Sequence, residues 1–412
     1  MLSSLYSGVS GISAAGYTMS VLGNNIANSN TVGFKGGYTS FADILSQSLG
    51  GAGGGNQVGR GVNLADVGTL FTQGSFENTS NGTDLAIEGA GFFMVADDTG
   101  TYYTRAGQFI MDDEGFLVNP SGYRLQGYSA DDSGNLLTTV GDLNVAQISS
   151  APLATENFRI VANLDGSAVE NEPGSVYAST ITVYDSIGSA IPLTLTFTKT
   201  ANPGEWSYAA SLPTSLGTAT AGGSGVIAFD TNGNLDNTVV TADIPIDVVP
   251  TTGGAAFQVD WVVIDPTSGD PSGDITGYAS ANDTYGLFQD GYAPGTVESV
   301  GIEQDGQIVG LFTNGQTRTI GQVLVADFVS PWGLTKMGKS LFAESMSSGQ
   351  ATIGEAGTGG RGSIASNALE MSNVDMASEF VRMITTQRAY QANARVISTS
   401  DELLAELMMI KR

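Results

Sequence analysis

Carboxylates are the main chemical resource of this sequence. Its 412 residues include 41 Asp and Glu but no Cys and no His. That removes thiol nucleophiles, disulfides and thiolate metal sites, along with the commonest general base and metal ligand. A glycosidase needs two acids across a cleft, and among 41 acids no pair stands out. Calcium is the other ligand that clustered acids suggest. The closest run is Asp230-Thr231-Asn232-Gly233-Asn234-Leu235-Asp236, which lacks the Gly at position six and the Glu at position twelve of an EF-hand loop. Similar runs recur at Asp131-Asp132-Ser133-Gly134-Asn135 and Gln304-Asp305-Gly306-Gln307. Hairpin turns account for them better. The sequence therefore assigns no catalytic residue, metal or cofactor, and points away from an enzyme.

The more telling spacing lies at the two ends. Leu2, Leu5, Val9, Ile12, Gly16, Met19, Gly23 and Ile26 recur at steps of three and four. Near the C-terminus Leu369, Met376, Met383, Tyr390, Ile397 and Leu404 recur every seven residues. This is the repeat of helices packed along a seam. Two core helices of one globule would give a similar pattern. The seams are imperfect, however. Gly16 and Gly23 interrupt the first, and the row flanking the second (Phe380, Gln387, Ala394, Asp401, Met408) carries polar residues. Such ends are marginal alone and are expected to fold on assembly. Ser3 or Ser4 is expected to cap the first helix, which fades at Gly23-Asn24-Asn25. Ser372-Asn373-Val374-Asp375 fits a capping pattern for the second. Arg388 and Arg395, seven apart, could pair with a neighbouring subunit or simply face solvent.

Charge separates the ends from the middle. Residues 1–60 hold one acid and two bases, and residues 370–412 six acids and five bases, so the whole surplus of −26 falls on 61–369. A self-repelling middle with near-neutral ends suits an assembly packed through its ends, and it argues against nucleic acid. No run of about 18 apolar residues is present to span a membrane. The first base is Lys35, so no Sec-type signal peptide is expected. The Gly-, Thr-, Ser- and Asn-rich, Lys-poor composition looks extracellular.

Between the helices the period changes to two. Residues 31–60 look irregular, with a linker-like Gly50 to Gly55 stretch. Leu85 and Ile87 alternate with polar neighbours, and Phe92-Phe93-Met94-Val95 reads as a strand. Asp112-Asp113-Glu114-Gly115 reads as a hairpin turn. A crossing near Ala151-Pro152-Leu153-Ala154 leads into strands marked by Ile181, Val183, Ile191, Leu193, Leu195 and Phe197, then by Phe257, Val259, Trp261 and Val263. Near Tyr285-Gly286 the chain looks set to return, with strands at Ile308–Leu311 and Ile320–Val325 joined through Asn314-Gly315. The expected class is α+β, with long terminal helices forming a coiled-coil-like stem around two nested, mainly β barrel- or sandwich-like domains. The parts are 1–30 with 370–412, connecting segments 31–70 and 355–369, a first β-domain at 71–149 and 286–354, and an inserted outer domain at 150–285.

Specific motifs then carry a resemblance. Ser7-Gly8-Val9-Ser10-Gly11 leads to Asn24-Asn25-Ile26-Ala27-Asn28-Ser29-Asn30-Thr31-Val32-Gly33-Phe34-Lys35. Gly74-Ser75-Phe76, Asp84 to Phe93, Tyr103-Thr104-Arg105-Ala106-Gly107 and Gly115-Phe116-Leu117-Val118 follow. At the C-terminus come Leu369-Glu370-Met371-Ser372-Asn373-Val374-Asp375 and Gln387-Arg388-Ala389-Tyr390-Gln391-Ala392-Asn393. Together they resemble the bacterial flagellar axial rod and hook family. The insertion at about 150–285, with Tyr184 to Gly188, Leu193 to Phe197, Pro331-Trp332-Gly333-Leu334 and Leu341 to Glu344, is similar to the hook members. A distal rod protein would be shorter. Asn367 stands where hook proteins often have Gly, and Asn tolerates similar backbone angles.

The resemblance implies a non-enzymatic subunit of a curved tubular joint between rod and filament, with an axial export channel. It implies export through the flagellar type III apparatus without a cleaved signal peptide. Its partners would be copies of itself, the distal rod protein, the hook cap and the hook-filament junction protein. A calcium-binding secreted adhesin is the alternative from another class. Expected packing residues are Leu2, Leu5, Val9, Ile12, Met19, Ile26, Met376, Phe380, Met383, Tyr390, Ile397, Leu404 and Met408. The motif positions are Asn24, Asn25, Asn28, Gly33, Phe34, Ser372, Asn373, Asp375, Gln387 and Arg388.

Overall fold

A computed structural model describes residues 2–44, 47–48, 57–131, 133–146, 148–265 and 271–410. Helices α1 (Leu2–Ala27) and α2 (Met376–Ile410) bracket described residues that are mostly β-strands, with one short 3-10 turn at Pro331–Gly333, as the α+β pattern predicts. Two compact units emerge. The first takes in Met1–Ile148, Ser299–Leu311 and Thr317–Arg412, the second Ser149–Glu298 and Phe312–Gln316.

Both helix starts differ from expectation. Ser3 and Ser4 lie inside α1, which continues through Gly23-Asn24-Asn25 to Ala27. There the Asn28 amide N–H returns to the Asn24 carbonyl at 3.1 Å. The cap of α2 is Asp375, whose Oδ1 accepts the Ser378 N–H at 3.1 Å. The Ser372 hydroxyl instead accepts from the Val374 N–H at 3.3 Å. Asp serves better here because its charge also faces the positive helix end. The 35 residues of α2 make it about 52 Å long at 1.5 Å per residue.

The helices run antiparallel, with Ser4 Oγ 3.4 Å from Ser400 Oγ and Asn25 Nδ2 3.2 Å from Glu379 Oε2. The buried row of α1 is Gly8, Ala15, Leu22 and Asn25, one residue earlier than the large apolar row suggests. The physical reason is close approach. A Cβ on Gly8 would meet Ile397 Cγ1 at 3.0 Å, and one on Gly11 would meet the Asn393 amide at 2.6 Å. Nothing lies within 4 Å of a Cβ on Gly16 or Gly23, so these are not the seam glycines. Small residues take the closest contact, and Leu5, Ile12, Met19 and Ile26 sit half-buried on its flank.

Residues 31–60 are not irregular throughout. Gly37–Asp43 pairs antiparallel with Val62–Thr69, and this ribbon rests on α1 through Thr18 and Thr39, whose hydroxyls lie 3.2 Å apart. Its residues are mostly exposed, so no apolar alternation marks it in the sequence. The expected Gly50 to Gly55 linker lies outside the described residues.

In the rest of the first unit, Phe92–Asp97 pairs with Gly100–Thr104, Arg124–Ala130 and Thr317–Asp327. Leu85, Ala86 and Ile87 are all buried, so this strand, paired with Ser363–Ser366, is covered on both faces instead of alternating. Phe92, Tyr103, Phe328 and Phe342 form an aromatic core with ring centroids 4.8–5.8 Å apart. Asn367 adopts φ +54°, the left-handed conformation Asn tolerates.

The second unit packs two sheets around one core. Val176–Tyr184, Ala190–Lys199, Glu205–Ser211 and Ser224–Ala228 form an antiparallel sheet. Asn157–Asn163 in the other sheet runs parallel to Phe257–Trp261 and antiparallel to Asp283–Gln289. Tyr285 and Gly286 therefore lie inside a strand of this unit. Ile181, Val183, Leu193, Leu195 and Phe197 from one sheet meet Phe158, Val259 and Trp261 from the other.

The acidic runs are turns. Oδ1 of Asp131 accepts the Ser133 and Asn135 N–H groups, and that of Asp230 accepts the Asn232 and Asn234 N–H groups, at 2.8–2.9 Å. The fourth residue takes a positive φ, as at Gly233 (+82°), which favours glycine. Glu303, ahead of the third run, closes its turn by donating its N–H to the Gln307 carbonyl at 2.9 Å.

Asp185 repeats the arrangement in a buried setting. Burial opposes its ionisation, but hydrogen bonds from the Thr252 hydroxyl and the Ile187 and Ser189 amides outweigh it and hold the carboxyl below its ordinary pKa. A depressed folded-state pKa contributes stability above the unfolded value of about 3.9, and that contribution is lost as pH falls through the folded value. Asp185→Asn is expected to cost about 1–3 kcal/mol at neutral pH. The deficit should shrink below about pH 4, read by urea titration on the fluorescence of the buried Trp206 and Trp261.

Candidate functional site

The motif residues converge where the terminal helices meet the β-structure of the first unit. Lys35, Arg105 and Glu370 form its centre. Lys35 Nζ lies 2.6 Å from Glu370 Oε1, and Arg105 Nη1 lies 3.3 Å from Oε2. The Glu370 side chain is fully buried. Its Oε1 also accepts the Gly74 N–H at 2.8 Å, and its carbonyl accepts the Gly33 N–H at 2.7 Å. Lys35 donates further to the Thr72 carbonyl at 2.8 Å. Arg105 Nη2 donates to the Gly89 carbonyl at 2.7 Å, and the guanidinium lies over the Phe92 ring at 5.3 Å. One carboxylate thus joins Lys35, Gly74 and Arg105, and the same residue's carbonyl holds Gly33.

Burying three charges is expensive unless each is paired and hydrogen-bonded. Burial pulls both Lys35 and Arg105 below their ordinary values, and Glu370 opposes both shifts. Glu370 is therefore the compensating charge for two desolvated cations.

Two amides surround this centre. Asn25 receives the Gly37 N–H on Oδ1 and donates Nδ2 to the Gly37 carbonyl, both at 2.8 Å, as well as to Glu379. Asn373 receives the Gly36 N–H at 2.8 Å and donates to Leu70 and Thr72. Each asparagine thus holds backbone that has left one helix beside the start or end of another. Gly33 has φ +66°, and a Cβ there would lie 2.6 Å from Ala106 Cα, so only glycine fits.

The other motif positions act locally or face outward. Asn28 donates Nδ2 to the Asn24 carbonyl at 2.9 Å and ends α1. Phe34 is half-buried and accepts the Asn373 N–H at its carbonyl. Ser372 and Asp375 shape the start of α2. Gln387, Arg388 and Arg395 are exposed, and neither arginine has an ion pair among the described residues. Of the expected packing residues, Leu5, Ile12, Met19, Ile26, Met383, Ile397 and Leu404 are half-buried. Val9, Met376, Phe380, Tyr390 and Met408 are exposed.

Sequence reading missed Lys35, Arg105 and Glu370 as a unit, although each stood in a quoted motif. A usable signal was present in Lys35, the one base in the first 59 residues. A lone charge in a neutral segment invites the question of its partner.

Glu370→Gln would leave two buried cations unpaired, and it is expected to destabilise the first unit by about 3–5 kcal/mol. Lys35→Met should cost less, because Arg105 retains its partner. Urea unfolding followed by amide exchange in Phe92–Asp97 and Thr317–Asp327 measures both. Gly33→Ala should cost about 1–3 kcal/mol for backbone strain alone, read in the same way.

Comparison with known proteins agrees with these motifs. Residues 5–35 match the family described as Flagella basal body rod protein, and residues 86–170 the Flagellar hook protein FlgE/F/G D1 domain. Residues 163–292 match the Flagellar basal body protein FlaE D2 domain, and 365–409 the Flagellar basal body rod FlgEFG protein C-terminal family. The chain is 37% identical to the flagellar hook protein FlgE of Borreliella burgdorferi, covering 100% of both chains. It is 34% identical to that of Escherichia coli K12, covering 98% of both, and 35% identical to that of Salmonella typhimurium, again over 98% of both. The Helicobacter pylori FlgE2 crystal structure shares 14% identity at a TM-score of 0.46, covering 72% of this chain and 100% of that one, too distant to carry an argument. The full-length matches, including the 163–292 domain, disfavour the shorter rod alternative and the adhesin alike. The chain belongs to the flagellar hook protein family, whose members are structural proteins of the flagellum rather than enzymes.

Proposed function

We propose that the chain is a structural subunit that polymerises with copies of itself into the flagellar hook, a curved tube joining rod to filament, passing torque and enclosing an export channel. The observation that carries this reading is the apolar surface left on the terminal helices. Phe380, Val381, Ile384, Leu403, Met408 and Met409 are each about half exposed or more, and no helix among the described residues is long and apolar enough to cross a membrane. A monomer rarely leaves so much apolar surface to water. In the polymer, neighbouring helices would cover it, and the half-buried rows of α1 and α2 would form a coiled-coil-like stem.

In this reading residues 1–30 and 370–412 build the inner tube. Residues 31–70 and 355–369 connect it to a β-domain of 71–148, 299–311 and 317–354, and residues 149–298 with 312–316 form the outer domain. The acidic middle favours weak polar contacts between outer domains, which slide as the joint bends. The distal rod protein, the hook cap, the hook-filament junction protein and the type III export apparatus are its further partners. The subunit works outside the cell, which it reaches through that export apparatus. Its termini fold fully only on assembly.

Negative-stain imaging of polymers grown from pure subunit tests the central point. Curved tubes are expected, whereas straight short rods would favour a rod protein. Removing residues 376–410 should abolish polymers while leaving the β-structure folded, and polymers from that variant would refute the tube-core role. Amide exchange on the free subunit should show weak protection at 1–27 and 373–412; strong protection there would contradict assembly-coupled folding.

A further inference from the structure

Residues 61–369 contain eight Lys and Arg among a large surplus of acids, and six of the eight are engaged. Arg105, Arg124 and Arg159 form ion pairs. Lys199 donates to the carbonyls of Thr200, Asn202 and Glu205, and Arg361 donates to the Glu355 carbonyl and Thr358. Arg318 also has a partner and stands near Asp131. The ammonium groups of Lys336 and Lys339 have neither an ion pair nor a hydrogen bond among the described residues. The ammonium of Lys339 lies 5.7 Å from the Tyr123 ring centroid.

These two lysines line one cleft, of about 350 Å³, at the C-terminal end of α1. Asn24, Asn28, Phe34 and Leu341 line it with them. The Asn24 side-chain oxygen accepts from Asn28, while its NH2 has no acceptor among the described residues. The cleft therefore presents two unneutralised cations, a free amide donor and apolar walls.

Its backbone is held in an unusual conformation. Gly338, Lys339 and Ser340 have φ of +82°, +53° and +58°, and two of these carry side chains that seldom adopt such angles. The Thr104 hydroxyl fixes the turn by donating to the Ser340 carbonyl at 2.9 Å. Conformations of this kind cluster at binding sites, where surrounding structure holds them.

We propose that this cleft is a socket for an acidic hairpin turn of a second copy of the chain. Lys336 and Lys339 supply charge, Asn24 supplies a hydrogen bond, and Phe34 and Leu341 take the apolar part of the turn. Charge complementarity names the occupant. Each copy carries exposed acidic residues on hairpin turns, such as Asp97 and Asp98 or Asp113 and Glu114, and apolar walls suit a peptide better than a small inorganic anion. The proposal rests on the reading of the chain as a self-polymerising subunit and adds to it a specific contact.

Polymers grown from mixed ¹⁴N- and ¹⁵N-labelled subunit, coupled with a zero-length carbodiimide and mapped by mass spectrometry, test it. The expected result is Lys336 or Lys339 joined to an Asp or Glu of the oppositely labelled copy. Coupling only within a copy, or none, in polymers that did form would overturn the socket and leave the subunit reading standing. Absence of any polymer from wild-type subunit would remove the subunit reading and the socket with it. The double variant Lys336→Glu, Lys339→Glu should melt like wild type yet need at least about tenfold more protein to assemble, a change equal to about 1.4 kcal/mol. Assembly at the wild-type concentration would overturn the socket.

Discussion

The first unit depends on one buried carboxylate. Glu370 pairs with both Lys35 and Arg105 in a place where burial desolvates each cation, and it fixes the Gly74 backbone as well. The physics is asymmetric. A completed buried network adds modestly to stability, whereas removing its central charge strands the remaining ones at a cost of several kcal/mol. The geometry is correspondingly all-or-none: segments that leave α1 and enter α2 are either held against the β-structure or released. Asn25 and Asn373 extend the same logic with neutral amides, each meeting backbone groups that lack a partner in a helix or sheet. A subunit that passes torque from its helices to its β-structure needs a junction of this stiffness.

The helix pair follows a different principle. Its tightest contact is made by Gly8 and Gly11 against Ile397 and Asn393, so the backbones come close while little apolar area is buried between them. Large side chains are left on the flanks and outer surfaces. Within one chain that is a poor use of apolar residues. In a polymer it divides the labour, with small residues setting the intrachain distance and large ones meeting neighbours. The second unit shows the contrast, since its apolar alternation is spent on its own core.

Legibility in the sequence tracked how local the governing physics is. Val183, Leu193 and Trp261 declared their strands because a strand with one buried face must alternate. Asp-Gly turns declared themselves because the carboxylate and the glycine act within five residues. The 37–69 ribbon was hidden because exposed strands carry no period. The α1 seam was displaced by one residue because pattern reading weights bulky side chains, while packing there selected the smallest. Asn25, Gly33 and Asn373 were found through family resemblance, which gave positions without reasons. Those reasons, a backbone clamp, a positive φ against Ala106 and a bridge to Leu70, belong to the fold. Lys35 and Glu370 are 335 residues apart, so no local rule could pair them.

Native-state amide exchange on wild type and Glu370→Gln tests the claim of a single coupling carboxylate most directly. The account predicts that the substitution speeds exchange together at Gly33, Gly74 and Met371, while amides of Val176–Tyr184 and Ala190–Lys199 keep their protection. Loss of protection confined to residue 370 and its immediate neighbours, with Gly33 and Gly74 unchanged, would contradict it.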